Sequence, residues 1–383
     1  MNLIGRLKML EELLIGHHSF TAWDVVGTSA GGMNASLTEL NSLSHLAVLS
    51  LKIPKVERIP RDFVFPSLLK YDILLGDGLQ VPVTIYPTST VLYLDKTSAT
   101  SLNAKTFEQL LKRLEHVEVN GCGDIRTLFP AKWRQALKNL RRVEIEDCQS
   151  LEEVFELGVA DEGINEEKEL PLLSSLTRLH LQWLPELKCI WKGPTRHVSL
   201  KSLIHLELQS LHKLTFIFTP SLAQSLFHLE TLLILSCGEL KHIIREEDDE
   251  REIISEPLRF PKLKTIFISE CGKLEHVFPD CVSPSLGNLE EIMIRDAGNL
   301  KQIFYRGKGD ALTTDDIINF PQLRKLSLFS ISNCSFFAPK NFAAQLPSLQ
   351  NLRIYGHEEL DNLLIQLQVR PLYFYTNFFP FLI

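Results

Sequence analysis

The chain has 383 residues, 23% of them charged, with a formal net charge of -7 and seven cysteines. That length allows two or three ordinary domains or one elongated array. The acidic balance recommends neither nucleic acid nor an anionic membrane as partner, and the odd cysteine count argues against a secreted disulfide framework.

Lys8, Glu11 and Glu12 interrupt the apolar N-terminus, so it does not read as a signal peptide. No run of about 18 uncharged apolar residues offers a membrane span. The expected location is cytoplasmic or nuclear. The first element in chain order is "LEELLIG" from Leu10, apolar at offsets 0, 3 and 5. It is followed by "DVVGTSAGGM", in which Gly27, Ser29 and Gly31 match G-x-S-x-G, the turn that presents the nucleophile of many serine hydrolases. "WDVV" before it has the makings of a short strand, and "MNASLTELNSL" after it of a helix. "GTSAGG" also resembles the corresponding turn of patatin-like lipases. Those enzymes need an upstream glycine-rich oxyanion loop, which residues 1–26 do not supply, and an aspartate partner, for which Asp77-Gly78 is the one candidate. A five-residue pattern this loose recurs by chance. It falls between the Leu10 segment and "LAVLSLK" from Leu46, so its simplest place is an enlarged connection. "LLKYDIL" from Leu68 and a degenerate strand over Val91 to Leu94 complete an irregular N-terminal region, residues 1–104.

From residue 105 to 368 one template recurs nine times. "LEHVEVNGCGDIRTLFP" begins at Leu114 and "LRRVEIEDCQSLEEVFE" at Leu140, and further copies start at Leu176, Leu203, Leu229, Leu263, Leu289, Leu323 and Leu349. Each carries apolar residues at offsets 0, 3 and 5, usually a cysteine or small apolar residue at 8, and more apolar residues at 11 and 14. This is L-x-x-L-x-L-x-x-[NC], a leucine-rich repeat. Offsets 3 and 5 alternate as in a strand and point to one face. One repeat cannot bury that face alone, so repeats stack. The expected fold is an α/β leucine-rich-repeat solenoid, a curved right-handed horseshoe of about 12 or 13 repeats. Parallel strands would line its concave face, with short helices or irregular loops on the convex face. "AKTFEQLLKRL", "PAKWRQALKNL" and "PSLAQSLFHL" look like helical returns. Residues 369–383 form an apolar tail.

Cys122, Cys148, Cys237 and Cys271 all occupy offset 8, where small side chains pack inside the coil. No C-x-x-C or histidine pairing recommends a metal. The steps between repeats are 26, 36, 27, 26, 34, 26, 34 and 26 residues. The long steps hold insertions from Glu156, Arg245 and Tyr305; the first two are acidic, and are either solvated loops or docking surfaces for a basic partner domain.

Outward-facing strand positions change character along the array. Offset 4 runs Glu118, Glu144, His180, Glu207, Leu233, Phe267, Met293, Ser327, Arg353, and offset 6 runs Asn120, Glu146, Gln182, Gln209, Leu235, Ser269, Arg295, Phe329, Tyr355. Leu233, Leu235, Phe267, Met293, Phe329 and Tyr355, with Arg295 among them, form the expected protein-binding patch. The alternative is that twist, a convex loop or the aromatic tail covers some of them.

The repeats resemble the leucine-rich-repeat region of plant intracellular immune receptors of the coiled-coil, nucleotide-binding class. "IGRLKMLEELLIG" and "IPRDFVFPSLLKYDILLGDG" are similar to the family's first repeats, and "LEHVEVNGCGDIRTLFP", "LEEVFELG" and "FPKLKTIFISECGKLEHVFP" to its later ones. The resemblance implies recognition of a pathogen effector, or of a host protein altered by one. It also implies restraint of a nucleotide-binding domain, in cis or in trans. No G-x-x-x-x-G-K-[ST] phosphate loop occurs in the chain, so nucleotide chemistry by that route is not expected. Met1 directly precedes a repeat, as expected of a fragmentary gene model, a truncated paralogue or an excised domain. The expected function is protein recognition without catalysis, cofactor or metal. The alternatives are a free-standing adaptor or decoy and, at the margin, an esterase using Ser29.

Overall fold

The computed structural model describes residues 4–15, 23, 35–77, 86–98, 104–158, 171–245, 258–305, 317–331, 334, 343–356 and 360–367. Thirteen strands form one sheet in which sequence neighbours are spatial neighbours throughout. They are β1 (Glu12–Ile15), β2 (Val48–Ile53), β3 (Lys70–Leu75), β4 (Thr90–Asp95), β5 (His116–Asn120), β6 (Arg142–Glu146) and β7 (Arg178–Gln182). β8 (His205–Gln209), β9 (Thr231–Leu235), β10 (Thr265–Ser269), β11 (Glu291–Arg295), β12 (Lys325–Phe329) and β13 (Asn351–Tyr355) follow. Every pairing in the sheet is parallel. Parallel neighbours require the chain to cross back each time, and the repeat length supplies that return.

The return side is more regular than the sequence implies. Thr127–Phe129, Glu153–Glu156 and Cys189–Lys192 form a second parallel sheet; Phe216–Phe218, His242–Ile244, His276–Pro279 and Gln302–Tyr305 form a third. Helix is correspondingly scarce among the described residues. Ala104–Leu111 is α-helical as expected, but Ala131–Lys138 is a 3-10 helix kinked at Trp133, and Pro220–Ala223 is one α-turn capped by Thr219. A step of 26 residues can still hold two strands and a short helix, as in the Leu114 repeat with His116–Asn120, Thr127–Phe129 and Ala131–Lys138. The segment after "GTSAGG" is likewise a 3-10 helix, Leu37–Ser42, closed by a capping box between Ser36 and Glu39.

The main core is a single apolar column running the length of the stack. Offsets 0, 3 and 5 of the interior repeats are essentially without solvent contact, as at Leu203, Leu206 and Leu208, whereas in the last repeat Leu349, Leu352 and Ile354 are partly buried; the offset-8 cysteines are buried as expected. Two further columns were not foreseen. At offset 15 the aromatic rings of adjacent repeats stack: Phe129 on Phe155 at 5.3 Å and 11°, and Phe155 on Trp191 at 5.1 Å and 5°. At offset 7 every repeat from Leu114 onward places a residue in the left-handed region, from Gly121 (φ +63°) through Asp147 (+52°), Trp183 (+52°) and Glu270 (+56°) to Gly356 (+66°). The N–H of Trp183 donates to the carbonyl of Gln209 at 3.0 Å, and that of Ser236 to Ser269 at 2.9 Å. The left-handed residue thus extends the ladder by one bond while bending the chain inward. For a non-glycine residue this conformation costs about 1–2 kcal/mol, offset by a backbone bond that would otherwise be lost at the sheet's rim.

Candidate functional site

Because the sheet is parallel and in register, each offset forms a row across the concave face. Leu233 lies opposite Phe267, and Phe267 opposite Met293, so three apolar side chains from β9, β10 and β11 form one continuous row. Leu235 sits two residues from Leu233 on the same strand face, and all four side chains are half-buried. The row ends at Ser327, which is buried.

The remaining expected residues form a second group in the neighbouring row. Arg295 pairs in register with Phe329, and Phe329 with Tyr355. The two rings stack at 5.4 Å with an angle of 7° between their planes, and Tyr355 is 60% exposed. Arg295 is exposed, with Nε bound to Asp296 Oδ2 at 2.8 Å. Met293 and Arg295, two apart on β11, join the groups. The structure therefore brings the seven expected residues onto one face as two linked patches, and each keeps exposed surface there.

Upstream, the same rows are ionic. Arg142 and Arg178 both grip Glu144, at 2.6 and 3.2 Å, and Arg178 reaches Glu207 at 3.5 Å. His180 Nδ1 lies 3.8 Å from Glu207. Among the described residues Glu118 and Glu146, on adjacent strands, have no ion-pair partner; burial and the neighbouring Glu144 and Glu146 carboxylates raise the Glu118 pKa. His116 stands at the edge of this group. Burial, followed by the Arg142 guanidinium, pushes its pKa down to about 4, so the ring is neutral at pH 7. Among the described residues, His116, Glu118 and Glu144 are the trio whose ligand atoms lie within 4.8 Å of one another. Two guanidinium groups already occupy Glu144, which leaves little for a cation to gain there.

Sequence reasoning missed Trp183. It is 50% exposed on the rim of β7, in the left-handed conformation that the repeat demands of any residue there. Its signal is visible only once offset 7 is known to be a turn position: a large aromatic stands where its counterparts are mostly Gly, Ser, Asp and Glu. Gly27, Ser29 and Gly31 lie outside the described residues. Asp77, the aspartate considered for an esterase, is ion-paired with Lys52 at 2.7 Å. The three insertions also fall almost wholly outside them, as does the tail.

A thirteen-strand parallel sheet returning through short strands, with leucine columns at offsets 0, 3 and 5, defines a leucine-rich-repeat solenoid, a fold that mediates protein interactions. The repeats are of one particular kind. Residues 91–238 and 239–370 match the family described as plant disease resistance protein RPS2-like leucine-rich repeats, and the chain belongs to that family. Comparison with individually curated proteins gave no match. Among the described residues no helix is long and apolar enough to cross a membrane.

Proposed function

We propose that this chain is the recognition module of a plant intracellular immune receptor. It senses a pathogen effector, or a host protein modified by one, through its concave face and without catalysis. The observation that carries the reading is the half-buried row Leu233, Phe267 and Met293, which keeps some exposed surface and is continued by Leu235 and the Phe329–Tyr355 stack. A mere spacer would place polar side chains there, since a contiguous apolar patch on a soluble surface is a docking feature. The mechanism is an exchange of partners. Resting contacts, made with a nucleotide-binding domain in cis or in trans, hold an inactive assembly, and a ligand that binds the concave face better in the active state shifts the balance.

The test is pairwise binding against a panel of effectors and their host targets, with the Leu235→Asp, Phe267→Asp double variant as control. Strand content by circular dichroism must be unchanged in that variant. Loss of every interaction in it supports the reading; a ligand that binds it as well as the wild type sinks the concave site.

A further inference from the structure

The concave face is electrically divided. On β5 to β8 the outward positions hold four carboxylates, Glu118, Glu144, Glu146 and Glu207, against two arginines, Arg142 and Arg178. On β11 to β13 they hold Arg295, Lys325 and Arg353 against Glu291 alone. The apolar row on β9 to β11 overlaps and joins these ends. At the acidic end Glu118 and Glu146 lack ion-pair partners among the described residues, and exposed Trp183 directly follows Gln182, the register partner of Glu146. At the basic end Arg353 is exposed and has no ion-pair partner among the described residues, two residues from the open ring of Tyr355. An aromatic ring beside carboxylates suits an ammonium or guanidinium group, and an unpaired arginine beside a stacked aromatic pair suits a carboxylate flanked by apolar side chains.

The spacing selects the backbone of the ligand. Strands in register lie about 4.8 Å apart, close to the 5.4 Å pitch of an α-helix, so a helix laid across the strands meets the row with one apolar side chain per turn. Same-face side chains of an extended chain recur at about 6.6–6.8 Å and fall out of step. The interior strands are paired on both sides, so a ligand strand has no edge to join there. From β5, which carries Glu118, to β13, which carries Arg353, is eight strand steps, about 38 Å, the length of a helix of roughly 26 residues.

We infer that the protein ligand docks as an amphipathic helix of about 26 residues, basic at the end over Glu118, Glu146 and Trp183, apolar over Leu233, Phe267 and Met293, and acidic at the end over Arg295 and Arg353. The inference rests on the proposed concave recognition site and adds the ligand's form and direction to it. Charge complementarity at the two ends fixes which way the helix lies.

A displayed library of helices tests it. Each helix is about 28 residues long to cover the span from Glu118 to Arg353, carries a fixed leucine stripe, and has its first and last two turns randomised among Lys, Glu and Ser; selection is on the full chain. The expected result is enrichment of helices with Lys at one end and Glu at the other. Reversing one end, with Glu118→Lys and Glu146→Lys or with Arg295→Glu and Arg353→Glu, should weaken the selected helices at least tenfold, and reversing both should select the opposite layout. The neutral pair Glu118→Gln and Glu146→Gln, with an intermediate loss, separates charge from misfolding. If no helix is enriched, or if the enriched helices show no charge layout while Phe267→Asp still abolishes binding, the bipolar helix is overturned; the second result leaves concave recognition standing. Binding that survives Phe267→Asp overturns both.

Discussion

Leu74 on β3 and Leu233 on β9 lie in the same row of the same sheet, linked strand by strand through Tyr93, Glu118, Glu144, His180 and Glu207. Their surroundings differ. Leu74 has no solvent contact and belongs with Val91 and Tyr93 to a small apolar cluster separate from the main core, and Ser50, Lys52 and Asp72 beside it are also buried. Leu233 is only half-buried, as are Phe267 and Met293 after it. The strands show the same contrast along their length: β2 and β4 are buried at every position, whereas β5 to β9 alternate between buried and half-buried side chains apart from two exposed first positions. The repeat dictates the inward face, because stacking alone buries it. The concave face is under separate control, closed over β2 to β4 and open from β5 onward, and only the open part can receive a ligand.

The largest test of this contrast truncates the two leucines. Leu74→Ala should destabilise the protein by about 3 kcal/mol, the loss of a fully packed leucine, whereas Leu233→Ala should cost only about 1–2 kcal/mol because its side chain keeps some contact with water. Urea midpoints on otherwise identical chains measure both, and equal losses would remove the distinction between a closed and an open face. Next come two glycines that differ in the same way. A Cβ at Gly76 (φ +113°) would strike the carbonyl of Asp95, whereas one at Gly238 would meet nothing within 4 Å. We expect Gly76→Ala to cost about 2 kcal/mol or more and Gly238→Ala about 0.5 kcal/mol or less. A tolerated alanine at Gly76 would mean that β3 and β4 are looser than the closed face requires.

The divide between these regions marks the limit of what the sequence discloses. Offsets 0, 3, 5 and 8 were legible because stacking selects apolar residues there in the regular repeats, and the parallel solenoid follows from them; the strand at Thr90–Asp95 was expected only as a degenerate one over Val91 to Leu94. Offset 7 was not legible. Gly, Asp, Trp, Ser and Glu share no chemistry that names the position; what they share is a backbone angle, imposed by the turn between sheet and core. The return strands were missed because three-residue strands such as Phe216–Phe218 and His242–Ile244 are too short for alternation to register. At the candidate site the apolar residues could be named and placed in rows by counting. Openness could not be counted: Leu74 and Leu233 are the same residue at the same position of the repeat, and only the assembled structure separates them.

The open acidic region also predicts a pH response. His116 has a pKa of about 4 in the folded chain, lowered by burial first and Arg142 second, against about 6.5 unfolded. Above pH 6.5 the ring is neutral in both states and its site is undisturbed. Between 6.5 and 4 the unfolded chain takes up the proton first, so stability falls as the pH is lowered through that window. The expected loss between pH 7 and pH 5 is about 1–2 kcal/mol, less whatever Glu118, shifted in the opposite sense, returns. Urea midpoints at the two pH values, for the wild type and for His116→Gln, isolate the histidine. A fall of the same size in both proteins would place the acid sensitivity elsewhere.

The smallest expected effect concerns Trp183, which bears on whether the open rim serves folding or binding. Its φ of +52° is unfavourable for a tryptophan, and half its surface is in water. Gly121 and Gly356 show that glycine fits the same turn. Trp183→Gly should therefore leave stability unchanged or raise it by about 0.5–1 kcal/mol, since relief of the left-handed strain outweighs the modest packing lost. A loss above about 1 kcal/mol would make the ring part of the repeat's own packing and remove the reason to count it with the binding face. A neutral or stabilising result, joined to weaker capture of the basic end of a bound helix, would place a strained and exposed tryptophan where only a ligand gives it a purpose.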